Sequence, residues 1–212
     1  VIPAYNEEQT IGHLIERCKK YADICVVNDG SKDKTVEIVY SYPDVIQITH
    51  EKNMHIPQTI RDGMSYAYDN SYDYVITMDA GLSHLPEELP YFIDHPDCDL
   101  LIGYRKNKIN IPLYRKLISK IGTLLINMTI RPPFSKLQHQ KFKDITSGYR
   151  RYSKKAIEIL LNRKMVSRTF DFHSEAFMFI YRNGLSIKEI PITYVFTNSS
   201  LNINVIIDSI LI

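Results

Sequence analysis

Cysteine, net charge and long apolar runs are all scarce in this sequence of 212 residues. Its three cysteines (Cys18, Cys25 and Cys98) are an odd number without the spacing of metal ligands. They argue against a disulfide framework and predict reduced core thiols in a reducing compartment. The formal net charge of +2 offers no argument for a nucleic-acid partner, and we expect none. No apolar run approaches the roughly 20 residues needed to cross a bilayer.

The composition is that of a globular protein, with 44% hydrophobic and 24% charged residues. The length suffices for one substantial core, and without an internal repeat or a clear boundary we expect a single domain over residues 1–212. The sequence opens on Val1 inside a strand pattern, and residues 203–212 resemble a helix cut short. We therefore expect a piece of a longer protein, in which a membrane segment could follow.

Short apolar runs alternate with helical patterns through the first half of the chain. Asn6 and Gln9 have the spacing of a capping box, ahead of a helix whose buried face begins at Ile11. The other predicted elements are strands at 1–3, 24–28, 45–49, 74–78 and 100–104, and helices at 33–41, 57–70 and 86–93. This alternation predicts an α/β fold with a mainly parallel sheet flanked by helices. Ligands of such sheets bind beyond the carboxyl ends of the strands.

The second half is less regular. Residues 111–130 combine helical periodicity with interleaved basic side chains, which is typical of a core helix with one wet face or of an interfacial helix. A basic connection follows at 131–143 and would add attraction to anionic lipid. Helices are predicted at 153–162 and 172–183, and one or two strands at 186–196.

Several motifs resemble those of family 2 glycosyltransferases. The chain opens with Val1–Glu8 (VIPAYNEE), which is followed by Val27–Ser31 (VNDGS) at the spacing of that family. The resemblance continues over nearly the whole chain, through the segments 78–84, 103–105, 144–150 and 191–194. Within the family the motifs look like those of dolichol-phosphate mannose synthase and bacterial polyprenyl-phosphate sugar transferases. The resemblance implies the GT-A fold and a glycosyltransferase that uses a nucleotide sugar.

The donor site is expected at the first two strand ends. Asp29 is placed to accept a hydrogen bond from a base or a ribose, and Gly30 permits close approach of a ligand. Alone, Asp29-Gly30-Ser31 would be a turn; joined to the opening motif it favours binding. The resemblance implies that a UDP- or GDP-linked sugar contacts Pro3, Ala4, Tyr5, Glu7, Asp29, Asp79, Ala80 and Gly81.

Asp79 is the expected metal ligand. A leaving nucleoside diphosphate is normally neutralised by Mg²⁺ or Mn²⁺, which take carboxylate and phosphate oxygens as ligands. The family supplies an Asp-x-Asp motif, whereas this chain has Asp79-Ala80-Gly81 and lacks the second carboxylate. Ser83 or His84 could add a ligand or hold a water, although His84 alone is more typical of a polar loop residue.

A second departure from the family lies at residues 53–63. Relatives usually carry several glycines there, whereas this chain has Asn53-Met54-His55-Ile56-Pro57 and reaches its first glycine at Gly63. The sequence predicts a stiffer helix that starts near Pro57, with an altered donor preference as a possible consequence.

The resemblance implies a lipid phosphate as the acceptor, which guanidinium groups can bind in bidentate fashion. The resemblance assigns Arg105 to this role. Arg115 corresponds less securely and is equally well interpreted as a solvated charge on a helix. The motif 144–150 is expected to pack beside the donor phosphates and the acceptor, through Asp144, Ser147 and Arg150.

The expected reaction is an inverting displacement at the membrane surface, on its cytoplasmic face. The catalytic residues implied are Asp79, Arg105, Asp144 and Glu175. An ionised lipid phosphate needs no general base, whereas a sugar hydroxyl does. Asp144, Asp171 and Glu175 are the candidate bases, and no sequence feature decides between the two acceptors.

Three other functions compete with this one. A family 2 transferase acting on a polysaccharide or glycolipid hydroxyl would need one of those carboxylate bases. A nucleotidyltransferase would require a glycine-rich, basic loop after the first strand, which Ala4–Glu8 is not. A nucleotide-binding module without catalysis stays open because of Gly81.

Overall fold

The computed structural model describes residues 1–110, 141–169 and 171–196. Within these residues the strands are β1 (Ile2–Ala4), β2 (Cys25–Asn28), β3 (Ile46–Thr49), β4 (Tyr74–Thr77), β5 (Leu100–Ile109), β6 (Arg150–Ser153) and β7 (Ile187–Val195). The helices are α1 (Ile11–Cys18), α2 (Thr35–Tyr40), α3 (His55–Asp69), α4 (Leu89–Ile93), α5 (Lys154–Leu161) and α6 (Phe172–Arg182), with a 3₁₀ turn at Pro86–Glu88.

The strands form two sheets that meet at Val1. Strands β1, β2 and β3 pair in parallel, and the second sheet has the order β4-β6-β5-β7. The backbone nitrogen of Val1 donates to the carbonyl of Ile76 at 2.7 Å, and the amide of Met78 donates back to the carbonyl of Val1 at 3.3 Å. This is the hydrogen-bond pattern of a parallel pair. The resulting order is β3-β2-β1-β4-β6-β5-β7, which confirms the predicted α/β fold.

Strand β6 was not predicted. It is antiparallel to both of its neighbours, β4 and β5, whereas β5 and β7 are parallel over their whole length. Strand β6 lies between β4 and β5, which precede it in the chain, and it runs antiparallel to both. The segment leading into β6 therefore lies at the carboxyl ends of β4 and β5. That segment is the motif 144–150.

Helices cover both faces of the sheet. On one face α3, α5 and α6 bury residues such as Met64, Leu160 and Phe177; on the other, α1, α2 and α4 bury residues such as Leu14, Val39 and Phe92. Full burial of each such side chain contributes about 1.5–3 kcal/mol. The core is thus assembled from the periodic apolar positions of the sequence.

The capping box predicted at Asn6 is wrong. Helix α1 begins at Ile11, and its N-cap Thr10 makes no side-chain cap bond. Asn6 has a positive φ of 55°. Its side-chain oxygen accepts from the amide of Lys32 at 2.9 Å, and its own amide donates to Ser31 Oγ at 2.9 Å. Asn6 therefore ties the loop after β1 to the loop after β2.

Other expectations about single elements can be compared with the structure. Helix α3 carries Pro57 in its first turn, as expected of a proline-started helix. The three cysteines are buried and free. No helix among the described residues has the length and apolar composition needed to span a bilayer. The helices expected at 111–130 and 203–212, together with Arg115, lie outside the described residues.

Candidate active site

The predicted polar residues meet at one edge of the sheet. Because β3, β2, β1 and β4 are parallel, their carboxyl ends lie side by side, and each is followed by a loop. Asp29 follows β2, Tyr5 follows β1 and Asp79 follows β4. The amide of Asp29 donates to the carbonyl of Ala4 at 2.8 Å, which continues the pairing of β1 and β2 beyond the strands.

The carboxylate of Asp29 is buried, with 7% of its side chain exposed. One oxygen accepts from the amide of Met54 at 2.7 Å and contacts His50 Nδ1 at 2.8 Å. The other accepts from the amide of His55 at 2.9 Å. Asp29 thus holds the first turn of α3. A hydroxyl or N–H of a ligand would have to donate to the same two oxygens, which can accept a further hydrogen bond. Gly30 adopts φ +72°, and a Cβ there would lie 2.7 Å from the backbone of Lys52.

Glu7 extends this donor side toward Asp79. Thr10 Oγ1 donates to its carboxylate at 2.5 Å. Burial raises the pKa of Glu7, and the nearby charges of Asp79 and Asp33 raise it further. Tyr5 is 45% exposed beside it. The carboxylates of Glu7 and Asp79 are therefore close enough to influence each other.

Asp79 keeps 35% of its side chain exposed. Its backbone amide donates to Nδ1 of His84 at 3.2 Å, which places the imidazole proton on the other ring nitrogen. Burial lowers the pKa of His84, and its ring stacks on Tyr149 with centroids 5.0 Å apart. His84 is therefore a buried residue that positions the backbone of Asp79, rather than a polar loop residue.

Gly148 and His173 complete the surroundings of Asp79. A Cβ added at Gly148 would lie 3.0 Å from both Asp79 Oδ1 and His173 Nε2. The carbonyl of Gly148 accepts from Thr77 Oγ1 at 2.7 Å, which fixes this approach. His173 is 3% exposed, and burial lowers its pKa well below the usual range. Sequence reasoning missed His173, although its place beside Glu175 at the start of a predicted helix was a usable signal.

Arg105 and Asp144 form a bidentate pair. Arg105 Nε lies 2.6 Å from Asp144 Oδ2, and Nη2 lies 2.7 Å from Oδ1. Burial alone would raise the pKa of Asp144, but the guanidinium outweighs it and lowers that pKa to about 2. Thr146 accepts a further bond from Arg105, whose guanidinium lies over the ring of Tyr194. A carboxylate held in this way is a poor general base.

Arg150 does not reach a phosphate, which corrects the role expected for it. Its side chain is fully buried. The guanidinium donates to the carbonyl of Ser147 at 2.6 Å, to that of His173 at 2.7 Å and to that of Ile145. Because all three nitrogens bond backbone carbonyls, Arg150 holds the motif 144–150 against α6. Ser147 is 1% exposed, and its hydroxyl has no partner among the described residues.

Glu175 and Asp171, the two other candidate bases, also bind backbone. Glu175 Oε1 accepts from the amide of Val166 at 2.9 Å, and Oε2 accepts from that of Ser167 at 2.8 Å. Asp171 accepts from the amide of Thr169 at 2.7 Å. Both carboxylates fix the loop between α5 and α6. The structure thus gives each of them a positioning role.

The metal expected at Asp79 can be tested against its neighbours. No group of three or more His, Cys, Asp or Glu side chains among the described residues forms a ready metal cluster. A carboxylate and an uncharged imidazole, from Asp79 and His173, do face the same point beside Gly148. Mg²⁺ in phosphate-transfer sites is commonly held by one or two carboxylates, with phosphates and water completing its shell. The residues present fit such a cation with Asp79 as its carboxylate.

Solved structures with similar folds support the assignment of the fold. The chain superposes on glucosyl-3-phosphoglycerate synthase from Mycobacterium tuberculosis, crystallised with Mn²⁺, UDP and phosphoglyceric acid, with a TM-score of 0.71 and 13% identity. The match covers 96% of this chain and 70% of the synthase. The same synthase has been crystallised with Mg²⁺ and UDP. This similarity shows the GT-A fold.

Curated relatives are similar over most of their length. A UDP-N-acetylglucosamine–dolichyl-phosphate N-acetylglucosaminyltransferase of Methanococcus voltae is 28% identical, over 95% of this chain and 86% of the relative. An undecaprenyl-phosphate mannosyltransferase of Micrococcus luteus is 30% identical, over 92% and 82%. A polyprenol monophosphomannose synthase of Mycolicibacterium smegmatis is 29% identical, over 92% and 76%.

The family model described as glycosyl transferase family 2 matches residues 1–160. This range includes β1 to β6. Of the site residues described above, it leaves out only those after residue 160, which lie in and around α6 and β7. The protein is a glycosyltransferase and belongs to glycosyl transferase family 2.

Proposed function

We propose that the protein transfers a sugar, with inversion, from a nucleotide-diphosphate donor to a polyprenyl or dolichyl phosphate at the cytoplasmic face of a membrane. The observation that carries the proposal is the state of the candidate bases. Asp144 is paired with Arg105, and Asp171 and Glu175 bind backbone amides. A hydroxyl acceptor requires a free base, whereas a lipid phosphate is already ionised near neutral pH. The names of the relatives favour the same acceptor.

The donor is a UDP- or GDP-linked sugar that lies along the carboxyl ends of β2, β1 and β4. Tyr5 and Glu7 line it from one side, and Asp29 accepts one of its polar hydrogens. The backbone of Pro3, Ala4, Ala80 and Gly81 forms the floor. These residues are near one another because four parallel strands end at this edge.

The diphosphate lies next to Asp79. Asp79 would hold a Mg²⁺ or Mn²⁺ ion, which neutralises charge on the leaving diphosphate when it is bound. His84 fixes the backbone of Asp79, and Gly148 leaves room for its carboxylate. The protein's part is thus to position groups and to stabilise charge, which can supply several kcal/mol of barrier reduction.

The acceptor phosphate binds on the β5 side of the edge. Arg105 provides a permanent positive charge there, with 17% of its side chain exposed. Asp144 positions this guanidinium through two hydrogen bonds and does not take a proton itself, given its pKa of about 2. Ser147 contributes a buried hydroxyl without a partner among the described residues.

The test is sugar transfer by the purified full-length protein. UDP- and GDP-sugars are supplied with or without Mn²⁺ and Mg²⁺, and a short polyprenyl phosphate is compared with the same polyprenol lacking the phosphate. We expect metal-dependent transfer to the phosphate only. Asp79→Asn should lower the rate by about 100- to 1,000-fold, the usual effect of losing one charge-stabilising group. The exposed Asp44→Asn is the matched control and should leave the rate unchanged.

Two results would overturn the proposal. Nucleotide binding without turnover and without a metal effect would indicate a binding module that has lost catalysis. Transfer to the plain polyprenol, or to a saccharide hydroxyl, would indicate the hydroxyl acceptor; Glu175→Gln and Asp171→Asn should then lower the rate by about 100-fold or more. With a phosphate acceptor, the same two substitutions should change the rate only a few-fold.

A further inference from the structure

A basic pocket lies beside the candidate active site. It has a volume of about 560 Å³ and lies between the start of α3 and the loop that follows α5. We name it the α3–α5 pocket. Four cationic residues line it, namely Arg61, Arg163, Lys164 and Arg168, and no aspartate or glutamate in the described part of the chain does so.

The walls of the α3–α5 pocket are held by specific bonds. Arg61 donates to the carbonyls of Leu161 and Arg163, which closes the end of α5 onto α3. Glu175 accepts from the amides of Val166 and Ser167, which anchors the loop to α6. The loop is therefore shaped before any ligand arrives.

The charges of the α3–α5 pocket are not neutralised within the described residues. Lys164 and Arg168 are exposed, and neither forms an ion pair with a described carboxylate. The neighbouring carboxylate of Asp62 accepts from Gln58 and contacts His50 instead. Like charges that line one pocket repel one another, so an anion bound there would stabilise the arrangement.

A hydroxyl adds a polar contact. Ser167 lines the α3–α5 pocket, and its Oγ is shielded from solvent and has no hydrogen-bond partner among the described residues. An unpaired buried hydroxyl destabilises the folded state. A ligand oxygen that accepted its proton would relieve that destabilisation.

We propose that the α3–α5 pocket binds a phosphate group, in addition to the phosphates handled at Asp79. Three arginines, a lysine and a hydroxyl without a carboxylate match the recognition chemistry of phosphate oxygens. The first turn of α3 connects the pocket to the donor side, because Met54 and His55 line the pocket while their amides bind Asp29. A bound phosphate would therefore contact the same turn of α3 that Asp29 holds.

The phosphate can come from a lipid headgroup or from a soluble compound. Val166, in the same loop, is 72% exposed, and Met54 at the pocket wall is 42% exposed. Apolar side chains next to cations are typical of surfaces that contact anionic lipid. A soluble phosphate compound would gain nothing from an apolar contact with Val166. Substitution of Val166 therefore distinguishes a lipid headgroup from a soluble phosphate.

The experiment measures binding of the full-length protein to two probes. One probe is a vesicle of equimolar phosphatidylcholine and phosphatidylglycerol, compared with phosphatidylcholine alone; the other is inorganic pyrophosphate. UDP and GDP are present throughout, so that a donor site at Asp79 is filled. The pocket variant is Lys164→Gln with Arg168→Gln. The matched control is Lys155→Gln with Arg182→Gln, which removes the same charges from exposed positions of α5 and α6.

We expect the pocket variant to weaken binding of at least one probe by roughly 30-fold, at about 1 kcal/mol per cation, and the control variant to change it less than threefold. A lipid source predicts that Val166→Ser weakens vesicle binding alone; a soluble source predicts pyrophosphate binding that Val166→Ser leaves unchanged. Equal effects of the pocket and control variants, or no binding of either probe, would overturn the proposal. Because no sugar transfer is measured, these results do not depend on the proposed reaction.

Discussion

Asp29 and Asp144 are two buried carboxylates at the same edge of the sheet, at 5% and 4% exposure, yet they are stabilised differently. Asp29 is held by two backbone amides and by His50. Asp144 is held by the permanent charge of Arg105. Asp79 follows β4, which lies between them in the strand order, and keeps 35% of its side chain exposed.

The different partners of Asp29 and Asp144 distinguish the side of the site near β2 from the side near β5. Partners of Asp29 are two backbone amides at the start of α3 and the ring of His50, so Asp29 shapes a loop and keeps capacity for another hydrogen bond. The partner of Asp144 is a cation on a different strand, so the pair stays charged and cannot exchange protons near neutral pH. The first side suits recognition of neutral polar groups, and the second suits placement of a charge.

The largest expected effect concerns the turn that carries Asp144. Arg150→Met should lower the free energy of unfolding by about 4 kcal/mol, because three buried carbonyls would lose their donors. Urea unfolding monitored by circular dichroism measures this loss. The exposed Arg182→Met should change stability by less than about 0.5 kcal/mol. Similar stabilities of the two variants would show that the buried guanidinium does not hold the motif.

The two carboxylates can be compared directly by replacing each with its amide. Asp144→Asn should cost about 3 kcal/mol, because it leaves the mostly buried Arg105 without a counter-charge. Asp29→Asn should cost about 1 kcal/mol, since an amide oxygen can still accept from a backbone N–H. Equal losses in urea unfolding would mean that the charge of Arg105 is compensated elsewhere, and would break the comparison.

The pH dependence of stability should follow Asp144. Its folded pKa of about 2 lies below the usual value of 3.8, so its contribution is fully present above about pH 4 and is lost as the pH falls toward 2. The loss amounts to about 2 kcal/mol. Unfolding measured at about pH 5 and about pH 3 should therefore show a larger decrease for the wild type than for Asp144→Asn. Parallel decreases would contradict the assignment.

The smallest effect concerns the room left for Asp79. Gly148→Ala should lower the transfer rate by about 10- to 100-fold with little loss of stability, because the new methyl group meets Asp79 and His173 at 3.0 Å. Gly184→Ala is the opposite case: it has φ +71° and no atom within 4 Å. It should cost about 1 kcal/mol of stability through backbone strain and leave the rate unchanged. A rate loss in Gly184→Ala, or none in Gly148→Ala, would remove the steric explanation.

Much of the fold follows from periodicity. The predicted first five strands and most of the helices occur within a few residues of their expected positions, because buried faces of helices and strands repeat at fixed intervals. Strand β6 was not predicted. Its residues Arg150-Arg151-Tyr152-Ser153 include two arginines, and both are buried at 0% and 2% exposure. No rule of hydrophobic patterning assigns such a segment to the centre of a sheet.

Local motifs and periodicity were enough to predict the family, the α/β architecture and the positions of Asp29 and Asp79 at strand ends. Arg105, expected just after the fifth strand, lies instead inside β5, which continues to Ile109. Tertiary structure alone decided what the side chains do there. It gave Arg150 to backbone carbonyls, Glu175 to a loop and Asp144 to Arg105, and it brought His173 next to Asp79. The physical reason is that hydrogen-bond partners and burial depend on segments far apart in the chain, which no local pattern encodes.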